Sequence, residues 1–357
     1  MKETLPQNLA TALDQELEAV YAPSAPGIIV SVTRKGQVLY EKSIGWANAL
    51  TGERIGPQSN FRMASLTKQF TAVGLALLEQ AGALSFQSRF ADFFPQLGEL
   101  GQQITLQHLL THTSGLRDYE PEVAPTRPYQ VTDAEVLEIT ARQPGPYFPP
   151  GSQFRYSNTG YVLLGLIIEK VAQKPFGDFL REAIFQPLGM AGTRLYHPHR
   201  PSEIQHRALG YAREASGRVI AADQSPCSAT RGDGCLYTSL HDYRLWHQAL
   251  LQGNLVDLPS LLQRVHAPVQ PGTDRCYGMG WFFTKRATGD LELCHTGNSS
   301  GFSHLVVSLP REEVLITAFS NLADNPHLLP GLLQTVLYHA PFQLESALVW
   351  QLPALTR

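Results

Sequence analysis

Ser65-Leu66-Thr67-Lys68 places a hydroxyl and an amine three residues apart. On a helix those two positions share a face, so the serine oxygen and the lysine nitrogen can meet. A helix N-terminus at this point adds unpaired N–H groups and a positive dipole end, which suits a developing oxyanion. From Phe70 to Leu78 only Thr71 is polar, so the helix is expected to be buried nearly all round. Burial desolvates Lys68, lowers its pKa and turns a cation into a base able to activate Ser65. A surface serine beside a solvated lysine fits the same four residues, and the motif alone does not separate the two.

Two further groups sit far downstream. Tyr156-Ser157-Asn158 offers a phenol able to share a proton with a lysine, and an amide two residues on. Its plain structural reading is that Asn158 caps a helix beginning at Thr159, after the Pro149-Pro150-Gly151 turn. His295-Thr296-Gly297 supplies an imidazole, a hydroxyl and a glycine where backbone can approach a ligand, at the end of a strand read over 291–295. An ordinary strand end with a Thr-Gly turn is the alternative there.

Competing motifs fail on context. Gly297-Asn298-Ser299-Ser300-Gly301 has the spacing of a nucleophile elbow, but that elbow needs a helix after it, and residues 302–309 read as a strand. His108 and His112 are four apart without the intervening glutamate of a zinc helix, and no third ligand is suggested, so no metal is expected. Cys294 adjoins His295, yet neighbours on a strand point to opposite faces. The four cysteines (Cys227, Cys235, Cys276, Cys294) lack C-x-x-C spacing and read as reduced, unreactive thiols.

The elements that must position these groups follow a simple order. A helix over 8–21 precedes two strands, 27–33 and 37–46, joined by Arg34-Lys35-Gly36. A long helix starts near Ser65 and stops at Gly82. Residues 83–265 are mostly helical between Pro-rich loops, with helices over 133–142 (opened by Thr132-x-x-Glu135), 159–171 and 240–251 (opened by Ser239-x-x-Asp242). Strands return over 277–284, 291–295, 302–309 and 314–320, and a last helix spans roughly 326–339. This pattern predicts an α/β (α+β) protein: an antiparallel sheet domain built from 1–82 and 266–357, flanked by helices, and a mostly helical domain over 83–265. The crevice between them is the natural place for a site.

Composition excludes several classes. The 357 residues carry 28 Lys and Arg against 31 Asp and Glu, a net charge of −3, which gives no basic face for nucleic acid and no polybasic membrane patch. No apolar run is long enough to span a bilayer. The first residues show no continuous apolar leader, since Asp14, Glu16 and Glu18 interrupt it, so the expected location is the cytoplasm, or the periplasm or exterior if a leader was removed.

Taken together, the order S-x-x-K, Y-x-N, H-T-G resembles the penicillin-recognising serine hydrolases: class C β-lactamases, serine D-Ala-D-Ala carboxypeptidases, D-aminopeptidases and related esterases. The resemblance extends to residues 108–116 (HLLTHTSGL), to Pro150-Gly151, and to Tyr277-Gly278-Met279-Gly280-Trp281. It implies a β-lactamase/transpeptidase-like fold without a cofactor. Ser65 would be the acylated nucleophile, Lys68 its base partner and Tyr156 the proton shuttle. Asn158 would orient Lys68 and the substrate amide, His295, Thr296 and Gly297 would line the substrate strand, and the N–H groups of Ser65 and Asn298 would form the oxyanion hole.

Lactamases of the group usually place Lys where His295 stands, to hold the substrate carboxylate. A histidine is only partly protonated near neutral pH. Lys285 and Arg286 are conceivable substitutes, read as solvated. The substrate expectation is therefore a small ester or a D-amino-acid amide or peptide. The alternatives are a β-lactamase or D,D-carboxypeptidase, an acyltransferase to a non-water acceptor, and a non-catalytic binding or sensor module on the same fold.

Overall fold

A computed structural model describes residues 3–200, 203–323, 328–338 and 342–356. Strands from both ends of the chain meet in one eight-stranded antiparallel sheet. In chain order they are β1 (Ile28–Arg34), β2 (Gln37–Ile44), β3 (Ala267–Pro268), β4 (Cys276–Gly278), β5 (Trp281–Lys285), β6 (Leu291–Ser299), β7 (Phe302–Leu309) and β8 (Val314–Ser320). Their spatial order is β3-β4-β5-β6-β7-β8-β1-β2. The β1–β2 hairpin turns on Lys35 and Gly36, both at positive φ (50° and 72°), the twist a two-residue hairpin requires. Closure of the sheet depends on β1 pairing with β8, Ile28 opposite Ser320 and Arg34 opposite Val314. β7 and β8 are buried at every residue, so both faces of the sheet centre are covered.

The helices used below are α1 (Gln7–Val20), α2 (Thr67–Gln80), α3 (Asp133–Arg142), α4 (Asn158–Ala172), α5 (Arg231–Gly234), α6 (Leu240–Gln252) and α7 (Leu348–Leu355). Leu9, Leu13 and Leu17, one apolar stripe, seat α1 against the core. α2 is buried on all sides from Thr67 to Ala76, as the sequence predicts, and its Phe70 stacks on Trp246 of α6 with ring centroids 4.2 Å apart. α3 begins with the expected reciprocal cap: Glu135 N donates to Thr132 Oγ1 and Thr132 N donates to Glu135 Oε2.

Several expectations need correction. Ser239 caps α6, but Asp242 does not reach back; its Oδ2 instead accepts from Gly192 N at 2.9 Å and Thr193 Oγ1 at 2.8 Å. The strand expected over 277–284 breaks at Met279-Gly280 into β4 and β5, because both residues adopt positive φ. The strand expected to end at His295 continues to Ser299, so H-T-G lies inside the β6–β7 ladder. The last helix divides at Leu333 into short segments over 328–332 and 334–337 and ends at Tyr338, with positions 326, 327 and 339 of the expected span outside the described residues, and α7 was not foreseen. All four cysteines are unpaired.

Candidate active site

Ser65 sits on a 3-10 turn, Ala64–Leu66, that runs directly into α2 rather than on the α-helix itself. Lys68 follows three residues on, in the first turn of α2, on the same face as the serine, and its Nζ lies 3.0 Å from Ser65 Oγ. Ala64, immediately before the serine, is held at φ +49°, a strained conformation for a residue with a Cβ. His112 (φ +57°) and Met279 (φ +52°) share this strain, and both belong to the segments around the site.

Lys68 is wholly buried and has three oxygen neighbours: Ser65 Oγ at 3.0 Å, Asn158 Oδ1 at 2.7 Å and the Asp233 carbonyl at 3.1 Å. Burial drives its pKa down to about 8, with Asp233 and Glu120 opposing the fall. When Lys68 is neutral, its two N–H bonds can remain on Asn158 and Asp233, leaving the lone pair for Ser65 O–H. Asn158 does not cap its helix. Ser157 does, accepting from Gly160 N at 3.2 Å, and this frees the Asn158 amide to link Lys68 to Glu120 Oε1, which accepts from Nδ2 at 2.7 Å.

Tyr156 presents its ring to the Lys68 amine, 4.9 Å from the centroid, and its hydroxyl faces both Ser65 and His295. Burial pushes the phenol well above its ordinary pKa, so it rests protonated. His295 is also fully buried, and its pKa falls to about 3. The Thr296 carbonyl can only accept, so the imidazole donates through Nδ1 at 2.6 Å, and Nε2 turns its lone pair toward the Tyr156 and Tyr277 hydroxyls, each 3.5 Å away. Burial therefore holds His295 neutral, where the sequence suggested partial charge. The suggested substitutes do not replace it. Lys285 and Arg286 lie at the β5–β6 hairpin, and Arg286 is ion-paired with Glu292, Glu345 and Glu312 rather than solvated.

Gly297 lets β6 lie against the turn that carries the serine, since a Cβ there would come within 2.3 Å of the Met63 carbonyl oxygen. Thr296 Oγ1 is buried without a hydrogen-bond partner. Asn298 is exposed at the end of the strand, its Oδ1 accepting from Ser303 Oγ. All eight candidate residues therefore lie on the segments that converge here: the serine turn and α2, the start of α4, and β6.

Three contributors lie outside the eight candidate residues: His112, read from sequence as structural, and Glu120 and Asp233, which sequence reasoning missed. His112 accepts from Ser157 N through Nδ1 at 3.1 Å and packs its ring 4.2 Å from Tyr156 and 4.3 Å from Tyr277, holding the tyrosine segment in place. Its neighbourhood in T-H-T-S-G was the available signal. Glu120 and Asp233 carry no motif and enter only through the fold. A separate cavity of about 940 Å³, walled by Leu250, Leu262, Trp281, Phe283 and Leu293, contains none of the candidate residues.

A family model described as Beta-lactamase matches residues 10–337. The chain belongs to the Beta-lactamase family. Penicillin-binding protein 4* of Bacillus subtilis (strain 168) is similar at 29% identity over 328 residues, 87% of this chain and 72% of the relative. Among solved structures, a D-amino acid amidase from Ochrobactrum anthropi SV3, complexed with L-phenylalanine amide, superposes with a TM-score of 0.76 at 27% identity, covering 92% of this chain and 96% of that one. The octameric penicillin-binding protein homologue from Pyrococcus abyssi shares the fold, with a TM-score of 0.76 at 23% identity over 92% of this chain and 77% of that one. Members of the Beta-lactamase family and these neighbours are serine hydrolases, and the helix-plus-antiparallel-sheet fold expected from sequence is the fold of this family. Among the described residues no helix is long and apolar enough to cross a membrane, and no group of three or more His, Cys, Asp or Glu side chains could hold a metal ion.

Proposed function

We propose that this protein hydrolyses small amides or esters through a Ser65 acyl-enzyme and prefers D-aminoacyl amides or peptides. The observation that carries the nucleophile is the buried Lys68 amine, 3.0 Å from Ser65 Oγ and lowered to about pKa 8. Neutral Lys68 takes the Ser65 proton as Oγ attacks the acyl carbon, and the N–H groups of Ser65 and Asn298 receive the oxyanion. Tyr156, protonated at rest, donates to the leaving nitrogen or oxygen and regains a proton from the Lys68 ammonium. The same pair then takes a proton from water as its oxygen bonds to the acyl carbon, and returns that proton to Ser65 Oγ as the acyl C–Oγ bond breaks and the carboxylic acid leaves.

Charge favours an amine-bearing substrate. The groups acting on Lys68 include two carboxyls, Asp233 and Glu120, and His295 is neutral where a carboxylate-binding cation would stand. Glu120 is half-buried beside Asn158, and although burial raises its carboxyl, an arriving ammonium would draw it to its ionised form. The amidase neighbour supports the same class.

Intact-mass analysis after fluorophosphonate treatment tests the chemistry: one adduct is expected on the wild type and none on Ser65→Ala. Folded wild type without an adduct would overturn it. Among D-alanyl p-nitroanilide, its L-isomer, short p-nitrophenyl esters and nitrocefin, the D-anilide should give the highest kcat/KM. Glu120→Gln should raise KM for the anilide while sparing an ester without an amine. Faster turnover of nitrocefin would move the assignment to a β-lactamase.

A further inference from the structure

Arg231-Gly232-Asp233-Gly234, the short helix α5, is wedged between α2 and α4 by contacts that leave little freedom. A Cβ on Gly232 would stand 2.1 Å from the Tyr161 carbonyl oxygen, so only glycine lets the segment lie directly on α4. Arg231 clamps its outer end, Nε to Asp133 Oδ2 at 2.6 Å and Nη1 to Glu169 Oε1 at 2.6 Å. On the inner side, the Gly232 carbonyl accepts from Thr71 Oγ1 at 2.6 Å, and the Asp233 carbonyl accepts from Lys68 Nζ. Asp233 is 7% exposed; Thr230 hydrogen-bonds its carboxyl, while Oδ1 is buried without a partner from the protein. Burying a carboxyl oxygen without a protein partner is costly, and such groups cluster at functional sites.

We propose that Asp233 is a positioning residue for the base: its carboxylate supplies the buried counter-charge that Lys68 needs while it holds the Ser65 proton. This rests on the reading of Lys68 as the base. In the step, the proton moves from Ser65 Oγ to Lys68 Nζ, the new ammonium keeps its bond to the Asp233 carbonyl, on the residue whose buried carboxylate balances its charge, and the proton then passes by way of Tyr156 to the leaving group. The other titratable groups facing Lys68 are Glu120, His112, His295, Tyr156 and Tyr161. Both imidazoles are held neutral and both phenols protonated by burial, so they offer no negative charge. Glu120 stands behind Asn158, whose amide binds it. Asp233 exerts the largest of the charge effects on Lys68 and is itself raised to about 7 by burial, with the Lys68 charge opposing the rise.

The test is the pH dependence of Ser65 phosphonylation by a fluorophosphonate in the full chain. Wild type should show an acid limb near pH 8; its absence would sink the reading of Lys68 as base. Asp233→Asn should move that limb down by about one pH unit or more, because losing the counter-charge eases deprotonation, and lower the plateau rate about tenfold through the weaker base. Asp233→Glu should hold the limb near pH 8. An unmoved limb in folded Asp233→Asn would overturn the proposal, whereas a merely structural aspartate would change the rate alone. A wild-type measurement avoids dependence on folding of a variant: the carbon resonances of the Asp233 carboxyl and the Lys68 ε-methylene should titrate together. Independent titration would also overturn the proposal.

Discussion

Lys68 as a base near pKa 8 fixes the sign of a pH profile. Below that value the amine is mostly ammonium and cannot take the Ser65 proton, so kcat/KM should rise about tenfold per pH unit up to pH 8 and level off above it. A profile flat between pH 6 and 9, measured with an uncharged ester, would contradict the assignment. His295, held neutral with a pKa near 3, adds no limb in this range. Tyr156→Phe should lower kcat by about 10²–10⁴-fold, the size of general acid–base contributions. Its stability should change by less than about 1 kcal/mol, because the hydroxyl's contact to His295 is long at 3.5 Å and Tyr277 offers another. Steady-state kinetics with thermal unfolding on the same sample separates the two effects.

At the scale of elements, the site depends on how closely β6 approaches the serine turn. Gly297→Ala places a methyl 2.3 Å from the Met63 carbonyl, and backbone on both sides must shift. Acylation of Ser65 should fall at least tenfold and the midpoint of thermal unfolding should drop. Gly56→Ala, with open space around the added methyl and an ordinary φ, is the matched control and should leave both unchanged. The capping residues show why element starts were readable. Thr132, Ser157 and Ser239 each accept from an N–H three residues on, a local requirement of any helix start. Asn158 shows the limit: next to a serine that caps equally well, its own role was decided by Lys68 and Glu120, 90 and 38 residues away in the chain.

Across the whole molecule, α2 is the shared member. It carries the base, its Phe70 stacks on Trp246 of α6, its Gln69 accepts from Tyr243 Oη at 2.7 Å, and Gly280 packs on its backbone. Trp246→Ala should cost about 3–5 kcal/mol in urea unfolding, the range for removing a fully buried aromatic ring. Activity per folded molecule should fall with it, because the cavity loosens the helix that holds Lys68. An intact rate with normal stability would show that α2 is not braced through this contact.

The sequence alone determined the order and type of the main elements, the location of S-x-x-K, Y-x-N and H-T-G on them, and a resemblance that the family comparison bears out. These are local or periodic properties: apolar spacing, caps, turn glycines and an i, i+3 pair. Tertiary structure decided the rest. That His295 is neutral, that Tyr156 rests protonated, and that Lys68 titrates near 8 all follow from burial, which depends on every element packed around the site. Asp233 and Glu120 had no signature, because a carboxylate acts on a lysine through space and at any chain separation. The break at Met279-Gly280 and the continuation of β6 through Gly297 likewise arise from close contact with α2 and its serine turn, a constraint absent until the sheet and helices meet.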